Sequence, residues 1–120
     1  MSRTKIAIAG ALGRMGNNLI NSALSNNNVE LVGVFDVNDI DPSFINKNQI
    51  QENVSTTREE SFEKADIVID FTTPKALFNF TEAAVSNNTG LVIGTTGLDE
   101  SLFNLLKQTS NSTKVFYAPN

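Results

Sequence analysis

Residues 6–20, IAIAGALGRMGNNLI, decide the fold, because a short apolar run passes into three evenly spaced glycines and then into an amphipathic run. The apolar run at 5–9 is typical of a buried strand, and residues 15–25 carry their apolar side chains at helical spacing. The stretch therefore predicts a strand, a glycine-rich turn and a helix, in that order.

The rest of the chain repeats this alternation of short apolar runs and longer helical patterns. Asp41-Pro42 lies in the polar segment 36–53, which is predicted as a loop with one short helical turn. Strands that alternate with helices require right-handed crossovers, which indicates an α/β fold with a doubly wound parallel sheet and helices on both faces. Further strands are predicted at 30–35, 54–56, 66–71, 91–94 and 115–118, and helices at 58–65, from Thr73-Pro74 to about residue 87, and after Asp99.

Composition is that of one ordinary globular domain. The chain has 120 residues, of which 40% are hydrophobic and 18% charged, enough for a single core. No apolar run approaches the roughly 18 residues of a membrane span, and no signal-peptide pattern follows the first run. The basic residues are scattered at a net charge of -4, so neither a membrane nor a nucleic acid is expected as a partner.

Cysteine and histidine are both absent from the chain. Without cysteine there is neither a disulfide nor a thiolate metal site, which fits a cytoplasmic protein. Without histidine the chain lacks the commonest general acid–base group and the commonest metal ligand. We therefore predict no metal site and no catalytic residue in these 120 residues.

The glycine turn points to a ligand. Gly10, Gly13 and Gly16 would permit a tight turn, close approach of the backbone to a pyrophosphate, and close packing of helix on strand. No strong side-chain cap precedes the helix, as expected if a ligand anion binds its free N–H groups. A Rossmann-like dinucleotide site is the favoured interpretation; the alternative is a turn that only packs the helix on the strand.

The second strand ends in an acid. Asp36 lies twenty residues after Gly16, where a carboxylate normally accepts hydrogen bonds from an adenosine ribose; the alternative is an ordinary exposed aspartate. Val37, Asn38 and Asp39 follow without a cation. A 2′-phosphate about 4 Å from a carboxylate would cost about 4 kcal/mol at an effective dielectric near 20. We therefore predict that NADH is preferred and that NADPH binding is possible but weaker.

Two threonine pairs follow later strands. Thr95 and Thr96 lie in the sequence GTTG at 94–97, which either faces a ligand or forms a simple turn. Thr72 and Thr73 follow the run DIVIDF and belong either to the rim of the cofactor site or to a helix cap. For Thr73 the cap, with proline at the first helical position, is the favoured role.

The segments GALGRMG, DFTTP, GTTG and the terminal APN together resemble the N-terminal domain of the dihydrodipicolinate reductase family of lysine and diaminopimelate synthesis. The resemblance runs along the whole chain, in order. It implies that the glycine turn binds the cofactor phosphates, Asp36 the adenosine ribose, and the later strand ends the nicotinamide side, with Thr96 near the substrate. The implied cofactor-binding residues are Gly10, Ala11, Leu12, Gly13, Arg14, Met15, Gly16, Asp36, Phe71, Gly94, Thr95, Thr96, Ala118, Pro119 and Asn120.

The resemblance also shows departures. Many family members carry arginine after the ribose acid and use NADPH as well, whereas this chain has Val37. The family places a substrate domain, with a histidine pair and a general-acid lysine, beyond the position where this chain stops. We therefore interpret residues 1–120 as the dinucleotide-binding domain, ending at the hinge.

The implied reaction is hydride transfer from the nicotinamide to 4-hydroxy-tetrahydrodipicolinate, with loss of water, giving tetrahydrodipicolinate. The small-molecule substrate would bind through the other domain, which also carries the homotetramer contacts of the family. Two alternatives stay open at this point. One is a free-standing NAD-binding regulatory module without chemistry of its own. The other is a different Rossmann enzyme, such as a semialdehyde or sugar dehydrogenase.

Overall fold

The doubly wound α/β class is confirmed in the computed structural model, which describes residues 3–119. All pairings in the five-stranded sheet are parallel, in the order β2-β1-β3-β4-β5. The strands are β1 Thr4–Ala9, β2 Val29–Phe35, β3 Ile67–Asp70, β4 Gly90–Ile93 and β5 Val115–Tyr117. The helices are α1 Arg14–Leu24, α2 Pro42–Lys47, α3 Arg58–Lys64, α4 Leu77–Asn87 and α5 Glu100–Thr109.

Helices cover both faces of the sheet, and each face has its own apolar core. Side chains of α1 and α2 pack on one face, around the fully buried Ile8 and Ile20. Side chains of α3, α4 and α5 pack on the other, where Phe35, Phe62 and Phe80 form a trio with ring centroids 5.7 to 6.0 Å apart. Within residues 3–119, no helix is both long and apolar enough to cross a membrane.

The strand order brings the candidate residues to one edge. The chain passes from β1 to β2 on one side and then returns to β3 on the other side of β1. Because all strands are parallel, the turns after β1, β2, β3 and β4 meet at the carboxyl edge of the sheet. The crevice outside β1 and β3 is a topological switch point, the usual ligand position of such folds.

The predicted strand at 54–56 is wrong. Ser55 forms only an isolated parallel bridge with Gly33 of β2. Its carbonyl accepts from the N–H of Val34 at 2.8 Å, and its own N–H donates to the carbonyl of Val32 at 2.9 Å. Thr57 already caps helix α3, so the chain enters the helix soon after the bridge and no strand forms.

The helix starts agree with the sequence except at one position. Asp99 accepts a hydrogen bond from the N–H of Leu102, which confirms the predicted cap of α5. Asp41 caps α2 in the same way, so the polar segment contains the predicted short helix. Thr73 stands at the expected position, but its side chain makes no cap bond, and residues Pro74–Ala76 form a 3-10 turn before α4. The tighter turn replaces the expected side-chain cap, so that part of the prediction is wrong.

Candidate functional site

Two glycines of the turn after β1 are required by packing inside the protein. Gly10 has a φ of 82°, and a Cβ placed on it would lie 2.4 Å from the carbonyl oxygen of Phe71. A Cβ on Gly16 would lie 2.1 Å from the carbonyl oxygen of Gly10. No side chain fits at either position, because Gly10 packs against the end of β3 and α1 packs against the turn.

Gly13 has no such internal reason to be glycine. Its φ of -78° and ψ of 170° are open to any residue. A Cβ there would meet only the carbonyl oxygen of Gly10, at an ordinary 3.4 Å. Gly13 is also the N-cap residue of α1, a position where serine, asparagine or aspartate would stabilise the helix more.

The start of α1 is open, as the sequence predicted. No side chain caps it among the described residues, and the first backbone bond runs from the N–H of Asn17 to the carbonyl of Gly13, at 2.9 Å. The N–H groups of Arg14, Met15 and Gly16 therefore have no acceptor within their own helix. Such a helix start attracts an anion through its N–H groups and the helix dipole.

The glycine turn is tied to the end of β2. The N–H groups of Gly10 and Ala11 both donate to the carbonyl of Phe35, at 3.0 and 3.1 Å. The N–H of Leu12 donates to one carboxylate oxygen of Asp36 at 3.1 Å. The second oxygen of Asp36 accepts from the N–H of Asn38 at 3.2 Å. The half-buried Asp36 thus lies beside the glycine turn, at the position from which the sequence predicts that its carboxylate binds an adenosine ribose.

A cavity of about 300 Å³ opens between Asp36 and the turn after β3. Two cations also line it, Arg58 from the start of α3 and Lys75 from the 3-10 turn. The premise that no cation is available near Asp36 is therefore wrong, although the preference for NADH itself stays a prediction. Neither cation is adjacent to Asp36 in the sequence, and only the packing of α3 and of the 3-10 turn brings them to the cavity. The cavity is lined by Gly10, Phe35, Asp36, Val37, Arg58, Thr72, Thr73, Lys75, Ala76, Asn79 and Phe80.

The ends of β3 and β4 are joined by a buried carboxylate that the sequence analysis missed. Asp70 is fully buried, and one of its oxygens accepts from the hydroxyl of Thr95 at 2.6 Å. The other oxygen accepts from the hydroxyl of Thr72 and from its N–H, the latter at 3.1 Å. Burial raises the pKa of the Asp70 carboxyl, and the hydrogen bonds from Thr72 and Thr95 act in the opposite direction.

The remaining predicted residues lie at the same edge. A Cβ on Gly94 would meet the ring of Phe71 at 2.3 Å, so this half-buried ring lies directly on the Gly94 backbone. Thr95 is buried with its hydroxyl turned inward, whereas Thr96 is exposed. Ala118 and Pro119 are exposed after β5, and Asn120 lies outside the described residues.

The structure combines a parallel sheet, a glycine-rich turn before an uncapped helix at the switch point, and an acid at the end of the neighbouring strand. These features define the dinucleotide-binding class of α/β domains. Sequence comparison assigns the family within that class. Residues 4–120 match the family described as the N-terminus of dihydrodipicolinate reductase. The chain belongs to this family.

Individual relatives agree with the assignment. The chain is 39% identical over 120 residues to the 4-hydroxy-tetrahydrodipicolinate reductase of Sulfurimonas denitrificans, covering 97% of this chain and 44% of that protein. It is 34% identical over 125 residues to the reductase of the same name from Pseudoalteromonas translucida, covering 100% of this chain and 46% of that protein. The chain thus spans less than half the length of these two relatives.

Solved structures give the same picture. A dipicolinate-bound dihydrodipicolinate reductase from Paenisporosarcina sp. TG-14 superposes with a TM-score of 0.74 at 27% identity, covering 99% of this chain and 48% of that one. A scyllo-inositol dehydrogenase from Lactobacillus casei superposes with a TM-score of 0.71 at 20% identity, covering 98% and 37%. The latter likeness concerns the fold alone.

Proposed function

We propose that this chain is the nicotinamide-cofactor-binding part of a 4-hydroxy-tetrahydrodipicolinate reductase. The observation that carries the proposal is Gly13. Packing inside the protein accounts for glycine at positions 10 and 16 but not at position 13. Close approach of a pyrophosphate to the backbone at Gly13 supplies the missing reason, and the open N–H groups of Arg14, Met15 and Gly16 supply its hydrogen bonds.

Asp36 binds the adenosine ribose in this proposal. Each of its carboxylate oxygens has one backbone donor in the structure, from Leu12 and from Asn38. An ionised carboxylate offers about four acceptor sites, so each oxygen keeps capacity for a ribose hydroxyl. The adenine would then enter the adjoining cavity, whose walls include Ala76 and Phe80.

The nicotinamide side is formed by the ends of the later strands. Because the ribose acid lies after β2 and the phosphates after β1, the other end of the cofactor crosses to the side of β3 and β4. Phe71, Gly94 and Thr95 form the floor there, and Thr96, Ala118 and Pro119 the exposed rim. When bound, the nicotinamide supplies hydride to the conjugated C=N system of the substrate, which loses water in the overall reaction.

The choice between the two cofactors depends on the charges around Asp36. We expect NADH to bind more tightly than NADPH, because the 2′-phosphate of NADPH would lie near the carboxylate of Asp36. A second acid, Asp39, follows Asp36 closely in the chain. Arg58 and Lys75 line the same cavity and offset part of that repulsion, so NADPH still binds. The expected order is NADH before NADPH, with a modest ratio.

The direct test is calorimetric titration of the chain with NADH and, in parallel, with NADPH. Saturable binding of NADH that is lost in Gly13→Val supports the proposal. A chain that is folded by circular dichroism and binds neither cofactor at millimolar concentration contradicts it. Tighter binding of NADPH than of NADH at moderate salt would contradict the expected preference alone.

The two cations can be tested separately from Asp36. The double substitution of Arg58 and Lys75 by glutamine should weaken NADPH binding about tenfold, since each exposed charge contact contributes about 0.5–1 kcal/mol. Binding of NADH should change less than about twofold. Lys47→Gln removes an exposed charge on α2, outside the cavity, and is the matched control. An equal loss for both cofactors would show that the pair does not read the 2′-phosphate.

We expect this chain by itself to bind the cofactor without turning over substrate. It contains no histidine, and the family resemblance places the histidine pair and the general-acid lysine in another domain. The same resemblance implies a homotetramer for the whole reductase, and the lack of cysteine fits a cytoplasmic protein. The alternative of a free-standing regulatory module has no support among the relatives compared above, which carry the name of a reductase.

A further inference from the structure

The buried cluster of Asp70, Thr72 and Thr95 joins the ends of two neighbouring strands. The backbone of Asp70 already accepts the N–H of Gly94 at 2.8 Å, and its side chain adds a second connection through the Thr95 hydroxyl. The N–H of Thr72 is shared between Asp70 and the oxygen of Thr95, at 3.1 and 3.0 Å. Every member of the cluster is therefore bound to both others.

The hydrogen bonds around Asp70 suit an ionised carboxyl. The oxygen of Thr95 accepts from the N–H of Thr72, so its single proton is free to donate to Asp70. Both hydroxyls donate to Asp70, an arrangement that suits an ionised carboxylate, which only accepts. When ionised, Asp70 is a buried negative charge held by three donors, and burial raises the pKa of its carboxyl.

Connecting two strands through a buried charge is unfavourable in free energy. Burying a carboxylate costs several kcal/mol, whereas apolar side chains of similar volume hold neighbouring strand ends together at lower cost. Its position offers a reason. Thr95 is followed at once by the exposed Thr96 and Gly97, at the edge where the nicotinamide half of the cofactor is proposed to bind.

We propose that Asp70 is a positioning residue for the nicotinamide half of the cofactor. Through Thr72 and Thr95 it fixes the turns after β3 and β4 at one spacing, so that the exposed backbone at Thr96 and the ring of Phe71 meet the ligand without rearrangement. The proposal rests on the cofactor role proposed above, and it assigns Asp70 no direct contact with the ligand.

The test separates the two halves of the cofactor. Wild-type chain and variants are titrated with NADH and with ADP-ribose, which lacks the nicotinamide. Asp70→Asn should bind NADH about tenfold more weakly, since the amide no longer accepts from both hydroxyls, and should bind ADP-ribose within about twofold of wild type. The proposed adenosine and phosphate contacts follow β1 and β2, and Asp70 and Thr95 do not line the adenosine cavity, although Thr72 does.

Variants of Thr95 keep the test decisive if Asp70→Asn does not fold. Thr95→Val keeps the shape but removes the hydroxyl, and should show the same selective loss for NADH. Thr95→Ser restores the hydroxyl and should recover most of that loss. Thr89→Val is the matched control, because Thr89 is also buried with a bonded hydroxyl but lies before β4, at the opposite edge of the sheet.

The outcomes distinguish this proposal from the one on which it rests. Absence of NADH and ADP-ribose binding by the wild type overturns the cofactor role, and with it the role of Asp70. If the wild type binds both ligands, equal losses for both in Thr95→Val, or the same losses in Thr89→Val, mean that the cluster only stabilises the fold. Unchanged NADH binding by folded Asp70→Asn also overturns the proposal.

Discussion

Alanine at Gly13 and at Gly16 should have different effects, although the two glycines lie in the same turn. At Gly16 the new Cβ lies 2.1 Å from the carbonyl oxygen of Gly10, so the start of α1 must retreat by about 1.3 Å to reach an ordinary 3.4 Å contact. Overpacking of this kind costs about 1–3 kcal/mol, and the better helix propensity of alanine returns up to about 1 kcal/mol. Because the clash is with backbone atoms, the cost lies at the upper end of that range, and we expect Gly16→Ala to lose about 2 kcal/mol of unfolding free energy.

The same displacement moves the N–H groups away from the phosphates. A charge-assisted hydrogen bond contributes about 1.5–3 kcal/mol, so loss of one such bond raises the dissociation constant of NADH about tenfold to a hundredfold. Gly16→Ala should therefore impair both stability and binding.

At Gly13 the Cβ fits the protein and obstructs only the ligand. The unfolding free energy of Gly13→Ala should stay within about 1 kcal/mol of wild type, because the weaker cap is offset by a less flexible unfolded chain. Binding of NADH should nevertheless fall by the same factor of about ten to a hundred. Alanine at position 13 should thus change only the affinity for NADH, whereas alanine at position 16 should change both the affinity and the unfolding free energy.

Urea unfolding followed by circular dichroism gives the stability of each variant, and calorimetric titration with NADH gives its affinity. Wild-type affinity in folded Gly13→Ala would refute the reasoning, because the turn would then only pack the helix on the strand. A stability loss at Gly13 equal to that at Gly16 would also refute it, since the steric assignment of the two positions would be wrong.

Three further predictions concern stability and use urea unfolding. The hydroxyl of Ser61 is buried and has no hydrogen-bond partner among residues 3–119, so Ser61→Ala should gain about 1 kcal/mol; a loss would show that the hydroxyl is satisfied in solution. Asp99→Ala should lose about 1 kcal/mol with the cap of α5, whereas Asp99→Asn should keep most of it; equal losses would exclude capping as the cause. Hydrogen bonds from Ser43 and from the Phe44 N–H lower the pKa of Asp41, so its contribution is present above its ordinary pKa of 3.8 and lost as pH falls through the folded value. Burial raises the pKa of Asp70, so its contribution has the opposite sign, full below 3.8 and lost as pH rises through the folded value. The unfolding free energy of the wild type, Asp41→Asn and Asp70→Asn should be measured as a function of pH. Each substitution should remove only the pH dependence of its own carboxyl, and a pH dependence that persists after the substitution would belong to another group.

The parts of the site that are contiguous in sequence could be predicted from sequence. The strand, turn and helix of residues 6–20 lie within one short segment, and their spacing already implies the close contacts later found at Gly10 and Gly16. Asp36 could be placed as well, because a strand end after a βα unit has few positions available.

The parts assembled from distant elements could not be predicted. Arg58 and Lys75 follow Asp36 by 22 and 39 residues, and only the packing of α3 and the 3-10 turn brings them to the same cavity. In the sequence, Asp70 lies inside an apolar run that predicts only a strand. The sequence does show an acid inside the run IVIDF, with threonines two and 25 residues later. Only the parallel register of β3 and β4 shows that these three side chains meet.

The hydrogen bond between Asp36 and the N–H of Leu12 has a consequence for attempts to change cofactor choice by engineering. The carboxylate that would bind the ribose also accepts a hydrogen bond from the glycine turn that would bind the phosphates. Replacing Asp36 to admit a 2′-phosphate would therefore release the loop at the same time, and the two halves of the adenosine diphosphate would not contribute independent, additive affinities. A redesign that keeps Asp36 and alters Val37, Arg58 or Lys75 leaves that shared support in place.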